Sequence, residues 1–365
     1  MRIVPVKTEN IEYRIYIGGD VTRQTEAFRE LSSLVNDRRC WILADDHTAA
    51  LFGTQVEERL REAGATVAGT QVVQAGENAK CLEVAGHLYD KAVEAGLDRR
   101  SLITALGGGV IGDLGGFIAA TYLRGIDFIQ WPTTLLAQVD SSVGGKVAID
   151  LPAGKNLVGA FHQPRLVAAD LLTLDTLPRA EFEGGLAEVV KYGVIMDEDF
   201  FAFLERHADE INRRQPEVME TVVERCCCLK AQVVQADARE SGMREILNYG
   251  HTFGHALEVL AGYGQLSHGA AVAIGMTMAA ELAAEKALFS RQDKERQTSL
   301  LREFGLPVKA PAGIDSGKAL EIMRHDKKSR DRKLRLVLPR RIGAVEVTAF
   351  EEESRVARAM EICCE

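Results

Sequence analysis

The stretch SLITALGGGVIGDLGGFIAATYLRG, residues 101 to 125, limits the possible folds more than any other: a short apolar run ends in three glycines and passes at once into a helical pattern. A strand that feeds a helix through so tight a turn is half of a βαβ unit, and the strand after the helix returns parallel to the first. Other short apolar runs, at 40 to 45, 65 to 73, 128 to 132 and 166 to 170, alternate with helical patterns near 22 to 36, 48 to 63, 79 to 96 and 110 to 122. Residues 1 to 178 are therefore read as an α/β domain with a mostly parallel sheet and helices on both faces. Past Leu177 and Pro178 the pattern changes to long helices, near 179 to 191, 217 to 237, 245 to 261 and 269 to 288, with a small hairpin from 332 to 339 and 344 to 350. At 365 residues the chain exceeds one typical core, so a second, mainly α-helical domain is expected over 179 to 365.

Gly107, Gly109 and Gly112 satisfy G-x-G-x-x-G in the strand-to-helix context that gives the motif its meaning. Glycines let the backbone approach a pyrophosphate, and the helix N-terminus offers N–H donors and a positive dipole end, as in a Rossmann-like nucleotide site. The motif does not sit in the first βα unit, so the acidic partner for a ribose is sought on an earlier strand, where Asp45 and Asp46 close ILADD. The alternative is a tight turn packed against the sheet. A second, turn-rich cluster at 133 to 156 gathers Asp140, Lys146, Lys155 and Asn156 among glycines and alanines. Small neighbours remove bulk where a ligand approaches, which favours lysines aimed at phosphate or carboxylate over solvated loop lysines.

A net charge of -9 argues against nucleic acid or an anionic membrane as partner. No apolar run nears the ~20 residues that cross a bilayer, and the N-terminus alternates like a strand pair, unlike a secretory signal. The expectation is a cytoplasmic protein acting on a small molecule. Its seven cysteines include Cys226, Cys227 and Cys228 in a row and form no C-x-x-C pair, which predicts reduced thiols.

NYGHTFGHALEVLAGYGQLSHG, residues 248 to 269, carries three of the eight histidines. His251 and His255 are four apart, so a helix places both on one face, where they could grip one ion. Thr252, not Glu, follows His251, so the helical zinc-protease signature is absent. Spacing alone leaves metal binding, proton transfer and simple packing open.

Six segments in order, GGGVIGDLGGFIAATYLRG, QVDSSVGGK, GKNLVGAFHQP, GGLAEVVKYG, LNYGHTFGHALE and LSHG, resemble the 3-dehydroquinate synthases, a family of sugar phosphate cyclases, over roughly residues 40 to 340. That family is similar in fold to glycerol dehydrogenase and the iron-containing alcohol dehydrogenases. The resemblance implies NAD bound by Asp45, by Gly76, Glu77 and Lys80, by Gly109, Val110, Ile111, Gly112 and Asp113, by Thr133, Thr134, Lys146 and Lys155, and by Thr173, Leu174, Asp175 and Thr176. His47 stands where the family often has Asn. The resemblance further implies Zn2+, or Co2+, on Glu188, His251 and His268, which leaves His255 to carry a proton or bind phosphate.

The implied reaction, a step of the shikimate pathway, converts 3-deoxy-D-arabino-heptulosonate 7-phosphate to 3-dehydroquinate and phosphate. Transient oxidation by NAD acidifies a C–H so that phosphate is eliminated; reduction and an intramolecular aldol closure follow. Lys146, Asn156, Asn248, His255 and one of Lys327 and Lys328 match the family's phosphate side, and Lys230 and Arg244 its carboxylate side. Asp140, Lys191 and Glu240 match positions that hold the hydroxyls. Arg124, beyond a helix of roughly 18 Å that starts at the glycine loop, is expected to serve the neighbour's pocket in a homodimer. The rival activities are another sugar phosphate cyclase, whose substrate lacks the carboxylate, and an NAD- and metal-dependent polyol dehydrogenase.

Overall fold

Four of the chain's apolar runs become strands with almost every residue buried, as a parallel sheet covered on both faces requires. In the computed structural model, which describes all residues except 9–10, 238–241, 263–264, 326–333, 351 and 365, the strands are β1 (Arg2–Lys7), β2 (Glu12–Gly18), β3 (Arg39–Asp45), β4 (Thr66–Val73), β5 (Leu102–Gly107), β6 (Asp127–Pro132), β7 (Lys146–Leu151), β8 (Gly154–Phe161), β9 (Leu166–Asp170), β10 (Leu334–Arg341) and β11 (Ala344–Phe350). Seven of them form one sheet in the order β1-β2-β9-β6-β5-β3-β4. Only the β1–β2 pair in it is antiparallel.

The strand order fixes where a ligand can enter. From β3 the chain goes to one side to form β4, then crosses back to the other side of β3 to form β5. A crevice opens at the carboxyl ends of strands where such a reversal occurs. Here those ends are Asp45 and Gly107. The helix Gly109–Thr121 then runs back along the sheet. It lies close because Gly115 faces Ala105 of β5 and Gly116 faces Val147 of β7; a Cβ on Gly116 would overlap the Val147 side chain. The packing role of the glycine-rich helix and its free N-terminus therefore coexist.

The chain divides into two compact units, Met1–Pro178 with Met219–Ala238, and Arg179–Val218 with Arg239–Glu365. All but the first turn of the long helix Pro216–Ala236 thus clusters with the α/β unit and not with the helical one into which the sequence reading places it. Its side chains explain this: Lys230 Nζ lies 3.0 Å from Asp140 Oδ1, and the Cys227 thiol donates to the Gln138 carbonyl at 3.2 Å.

Two further local readings are corrected. Residues 146 to 161 are not merely turn-rich but form the antiparallel hairpin β7–β8, with Lys146 opposite Phe161 and Ile149 opposite Val158. Its glycines hide the alternation, since Val147, Ile149, Val158 and Ala160 still point into the core beneath the helix Gly109–Thr121. The predicted helix from 245 to 261 is broken: a 3-10 turn, Met243–Asn248, comes first, and the α-helix restarts as His251–Ala261 after Gly250 at φ 78°. Only glycine takes that backbone angle cheaply.

In the helical unit, Arg179–Met196 is buried on nearly every side between Phe182 and Ile195. A helix with no wet face must neutralise any charge it carries. His251–Ala261 and His268–Glu285 pack closely through small residues, and a Cβ on Gly275 would overlap the Gly250 carbonyl oxygen. Among the described residues, no helix is long and apolar enough to cross a membrane. All seven cysteines are free thiols.

Candidate active site

The buried charges on that helix are Glu188 and Lys191, 1% and 2% exposed and one helical turn apart. The Lys191 ammonium pairs with Glu188 Oε2. Two later helices, His251–Ala261 and His268–Glu285, each open with a histidine, and both point their Nε2 at the other oxygen: His251 lies 3.4 Å from Glu188 Oε1 and His268 3.6 Å. Those distances exceed a good hydrogen bond, and Glu188 Oε1 is buried without a hydrogen-bond partner. Two imidazole nitrogens and one carboxylate oxygen within 4.8 Å of one another match a three-residue zinc or cobalt set.

The outer contacts orient these donors. His251 Nδ1 is 3.1 Å from the Tyr249 carbonyl, so that nitrogen carries the proton and Nε2 keeps its lone pair. His268 Nδ1 lies 3.7 Å from Glu258 Oε2. Burial raises the Glu188 carboxyl, but Lys191 and then His251 outweigh it and hold it well below the ordinary carboxylate range. Burial pulls the His251 imidazole down to about 4 against the attraction of Glu188. At His268 burial acts the same way, yet Glu188 and Glu258 raise the imidazole to about 9. His255, half-buried, sits beside the pair with its ring centroid 5.6 Å from that of His251 and 6.3 Å from that of His268. Arg244 and Asn248 lie on the 3-10 turn that leads into His251, with Arg244 among the largest fully buried side chains. Glu240, Lys327 and Lys328 lie outside the described residues.

In the α/β unit the helix Gly109–Thr121 begins at Gly108 with no side chain capping it. The first N–H groups of Gly109, Val110 and Ile111 are therefore available to an anion. Gly109 keeps that approach open on one side, where a Cβ would meet Ser141 Oγ at 3.1 Å. Uncapped donors at the crevice of the sheet fit the pyrophosphate of a dinucleotide. Asp45 closes β3, but its carboxylate already accepts from the Thr48 N–H at 2.8 Å as a helix cap. Gly76, at φ 108°, has open space around it and leads into the turn Glu77–Ala79.

Lys80, 4% exposed, joins that turn to the glycine helix: its Nζ is 2.9 Å from Asp113, 3.5 Å from Glu77 and 4.0 Å from Asp150. Burial raises the Asp113 carboxyl against Lys80, and burial opposes a Lys80 ammonium that its acidic neighbours nevertheless keep raised. Thr133 donates its N–H to Gly107, and the Thr134 side chain packs beside Gly108. Thr173 and Leu174 are buried in the 3-10 turn Leu171–Thr176, whereas Asp175 and Thr176 are exposed. Lys146, Lys155 and Asn156 are exposed on the hairpin β7–β8, and Asn156 takes φ 54° there. Arg124 is exposed at the end of the helix, where it and Leu123 both hold positive φ angles, 73° and 51°.

Sequence reasoning missed Glu258 behind His268, Tyr249 behind His251 and Gln138, which is fully buried in the α/β unit. For Glu258 a signal existed, because 251, 255 and 258 fall on one stripe of a 3.6-residue helix. For a backbone carbonyl there was none.

This geometry can be set beside known proteins. The N-terminal model of 3-dehydroquinate synthase matches residues 70–184 and the C-terminal model residues 185–329. The 3-dehydroquinate synthase of Desulforamulus reducens is 48% identical over 98% of both chains, and that of Pelobacter propionicus 53% identical over 84% of both. Among solved structures, 2-epi-5-epi-valiolone synthase from Streptomyces hygroscopicus, with NAD+ and Zn2+ bound, superposes with a TM-score of 0.89 at 26% identity over 98% of each chain. A 2-deoxy-scyllo-inosose synthase complexed with carbaglucose-6-phosphate, NAD+ and Co2+ gives 0.87 at 27% identity, covering 99% of this chain and 100% of the other. Glycerol dehydrogenase from Schizosaccharomyces pombe, at 16% identity and a TM-score of 0.67 over 98% of this chain and 91% of its own, shares the fold. Both halves of one family's model match in order, and relatives about half identical run nearly end to end with it, so this chain belongs to the 3-dehydroquinate synthase family.

Proposed function

We infer that the chain is a phosphate-eliminating carbon–oxygen lyase that converts 3-deoxy-D-arabino-heptulosonate 7-phosphate to 3-dehydroquinate in the shikimate pathway, working in the cytoplasm as a homodimer. The observation that carries the reading is the convergence of Glu188, His251 and His268 on one point beside buried Lys191. It supports a metal-assisted reaction on a polar substrate, and 44–53% identity to 3-dehydroquinate synthases names the substrate. When bound, NAD supplies a reversible hydride acceptor and zinc a Lewis acid that acidifies a hydroxyl.

The chain's own groups do the rest. Glu188 stays ionised because Lys191 faces it, and the Tyr249 carbonyl fixes which nitrogen His251 offers. His255, beside the donor set and not assigned to it, carries a proton or holds the substrate phosphate. Arg244, with Lys230 held against Asp140, serves the substrate carboxylate, and Lys146, Asn156 and Asn248 serve the phosphate. Asp140, Lys191 and Glu240 hold hydroxyls. The uncapped helix at Gly109 takes the NAD pyrophosphate, with Asp45, Gly76 to Lys80, Thr133, Thr134, Lys155 and Thr173 to Thr176 around the rest.

Purified protein given this sugar phosphate, catalytic NAD and zinc is expected to release one phosphate per substrate without accumulating NADH, and a chelator should abolish release. One NADH per substrate would instead identify a polyol dehydrogenase, and activity only on a sugar phosphate without a carboxylate another cyclase. For Arg124 the proposal is action in the partner's pocket, supported by an exposed corner held in a left-handed backbone that non-glycine residues rarely adopt. Mixed dimers of Arg124→Ala and Lys146→Ala chains should recover activity through one intact pocket; no recovery assigns Arg124 to its own chain.

A further inference from the structure

We propose that Gln138 is a positioning residue for the cofactor, acting by closing the gap between the carboxyl ends of β6 and β9. The proposal rests on the reading of this chain as an NAD-dependent cyclase. Those two strands pair only at Ile129 with Leu166 and at Gln130 with Val167. Beyond that point both strands continue, to Pro132 and Asp170, without pairing to each other. The Gln138 side-chain amide fills the gap: Nε2 donates to the Pro132 carbonyl at 3.2 Å, the Asp170 carbonyl at 2.9 Å and Thr173 Oγ1 at 3.1 Å.

Two carbonyls that can only accept decide which end of the amide faces them. The other end, Oε1, is buried without a hydrogen-bond partner, so the three acceptors, not Oε1, set the orientation. Gln138 is 0% exposed, so it acts through the groups it holds. What it holds are segments assigned to ligands. Pro132 precedes Thr133 and Thr134, whose carbonyl accepts the Gln138 N–H at 2.9 Å; Thr173 is held directly; and two residues on, Asp140 accepts from Lys230 at 2.7 Å.

Replacing the amide by an apolar side chain of similar size takes the Gln138 donor from two backbone carbonyls and a hydroxyl in a buried place, and the Asp170 carbonyl keeps the Thr173 hydroxyl at 2.7 Å. The loops at 133–134 and 171–176 then lose their side-chain tie, while the Gln138 backbone N–H keeps its bond to the Thr134 carbonyl. In the full-length protein, Gln138→Leu is expected to bind NAD roughly tenfold more weakly, measured by tryptophan fluorescence below the melting temperature of the variant. Its zinc content should be unchanged, because the metal donors belong to the other unit.

Gln138→Glu adds a signature that simple loss of stability does not produce. A protonated carboxyl can still donate to one carbonyl, whereas an ionised one faces carbonyl oxygens. Burial raises a carboxyl at this position, so its NAD affinity relative to wild type should be nearer unity at low pH and fall as the pH rises. A folded Gln138→Leu that binds NAD within twofold of wild type overturns the proposal, even if it melts earlier. If that variant does not fold, a pH-independent affinity ratio for Gln138→Glu overturns it. Wild-type protein that binds zinc but no NAD refutes the functional reading itself, an outcome separate from either variant.

Discussion

Glu188 is nearly inaccessible to water and carries a charge, which is tenable only because one ammonium and two imidazoles surround it. Removing a donor removes the reason for the site. His251→Ala and His268→Ala are each expected to lose bound zinc, measured by metal analysis of the purified variants, while His255→Ala retains one equivalent and turns over slowly. Glu258→Ala should lower zinc affinity by roughly 10- to 100-fold, since it leaves the far nitrogen of His268 without its carboxylate. Zinc loss in His255→Ala would overturn the ligand assignment. The i, i+4 spacing of His251 and His255 is legible in the sequence, and the structure does place both on one helix. Spacing cannot reveal that Glu188 and His268 arrive from other helices, because that depends on how three helices pack.

Among elements, legibility followed burial. β3, β5, β6 and β9 are continuous apolar runs and stand out as strands, and the long helices announce themselves by length. Its glycines hide the β7–β8 hairpin, and the sequence pattern extends the helix at 251 back to 245 because Gly250 reads as an ordinary residue until its φ is known. The same glycines matter for stability. Gly275 lies against Gly250 and Gly254, so the helices carrying His251 and His268 pack with almost no space between their backbones. Gly275→Ala should therefore cost on the order of 2 to 4 kcal/mol in chemical unfolding and weaken zinc binding. Backbone cannot move aside as a flexible side chain could.

For the whole molecule, the informative feature is the path of the chain between its two units. The chain leaves the α/β unit after Pro178, returns to it for Met219–Ala238, and leaves again. A fragment ending at Pro178 lacks Lys230 for Asp140 and Cys227 for Gln138. It should show no cooperative melting transition in circular dichroism, whereas the full chain should; a sharp transition in the fragment would show that the returning helix is dispensable. The same path governs synthesis on the ribosome. A domain encoded in one piece can complete its fold as soon as it emerges. Here the last piece of the α/β unit is translated only after residues 179–218, so the nascent sheet waits, with the niche for Lys230 unfilled, while part of the other unit is made.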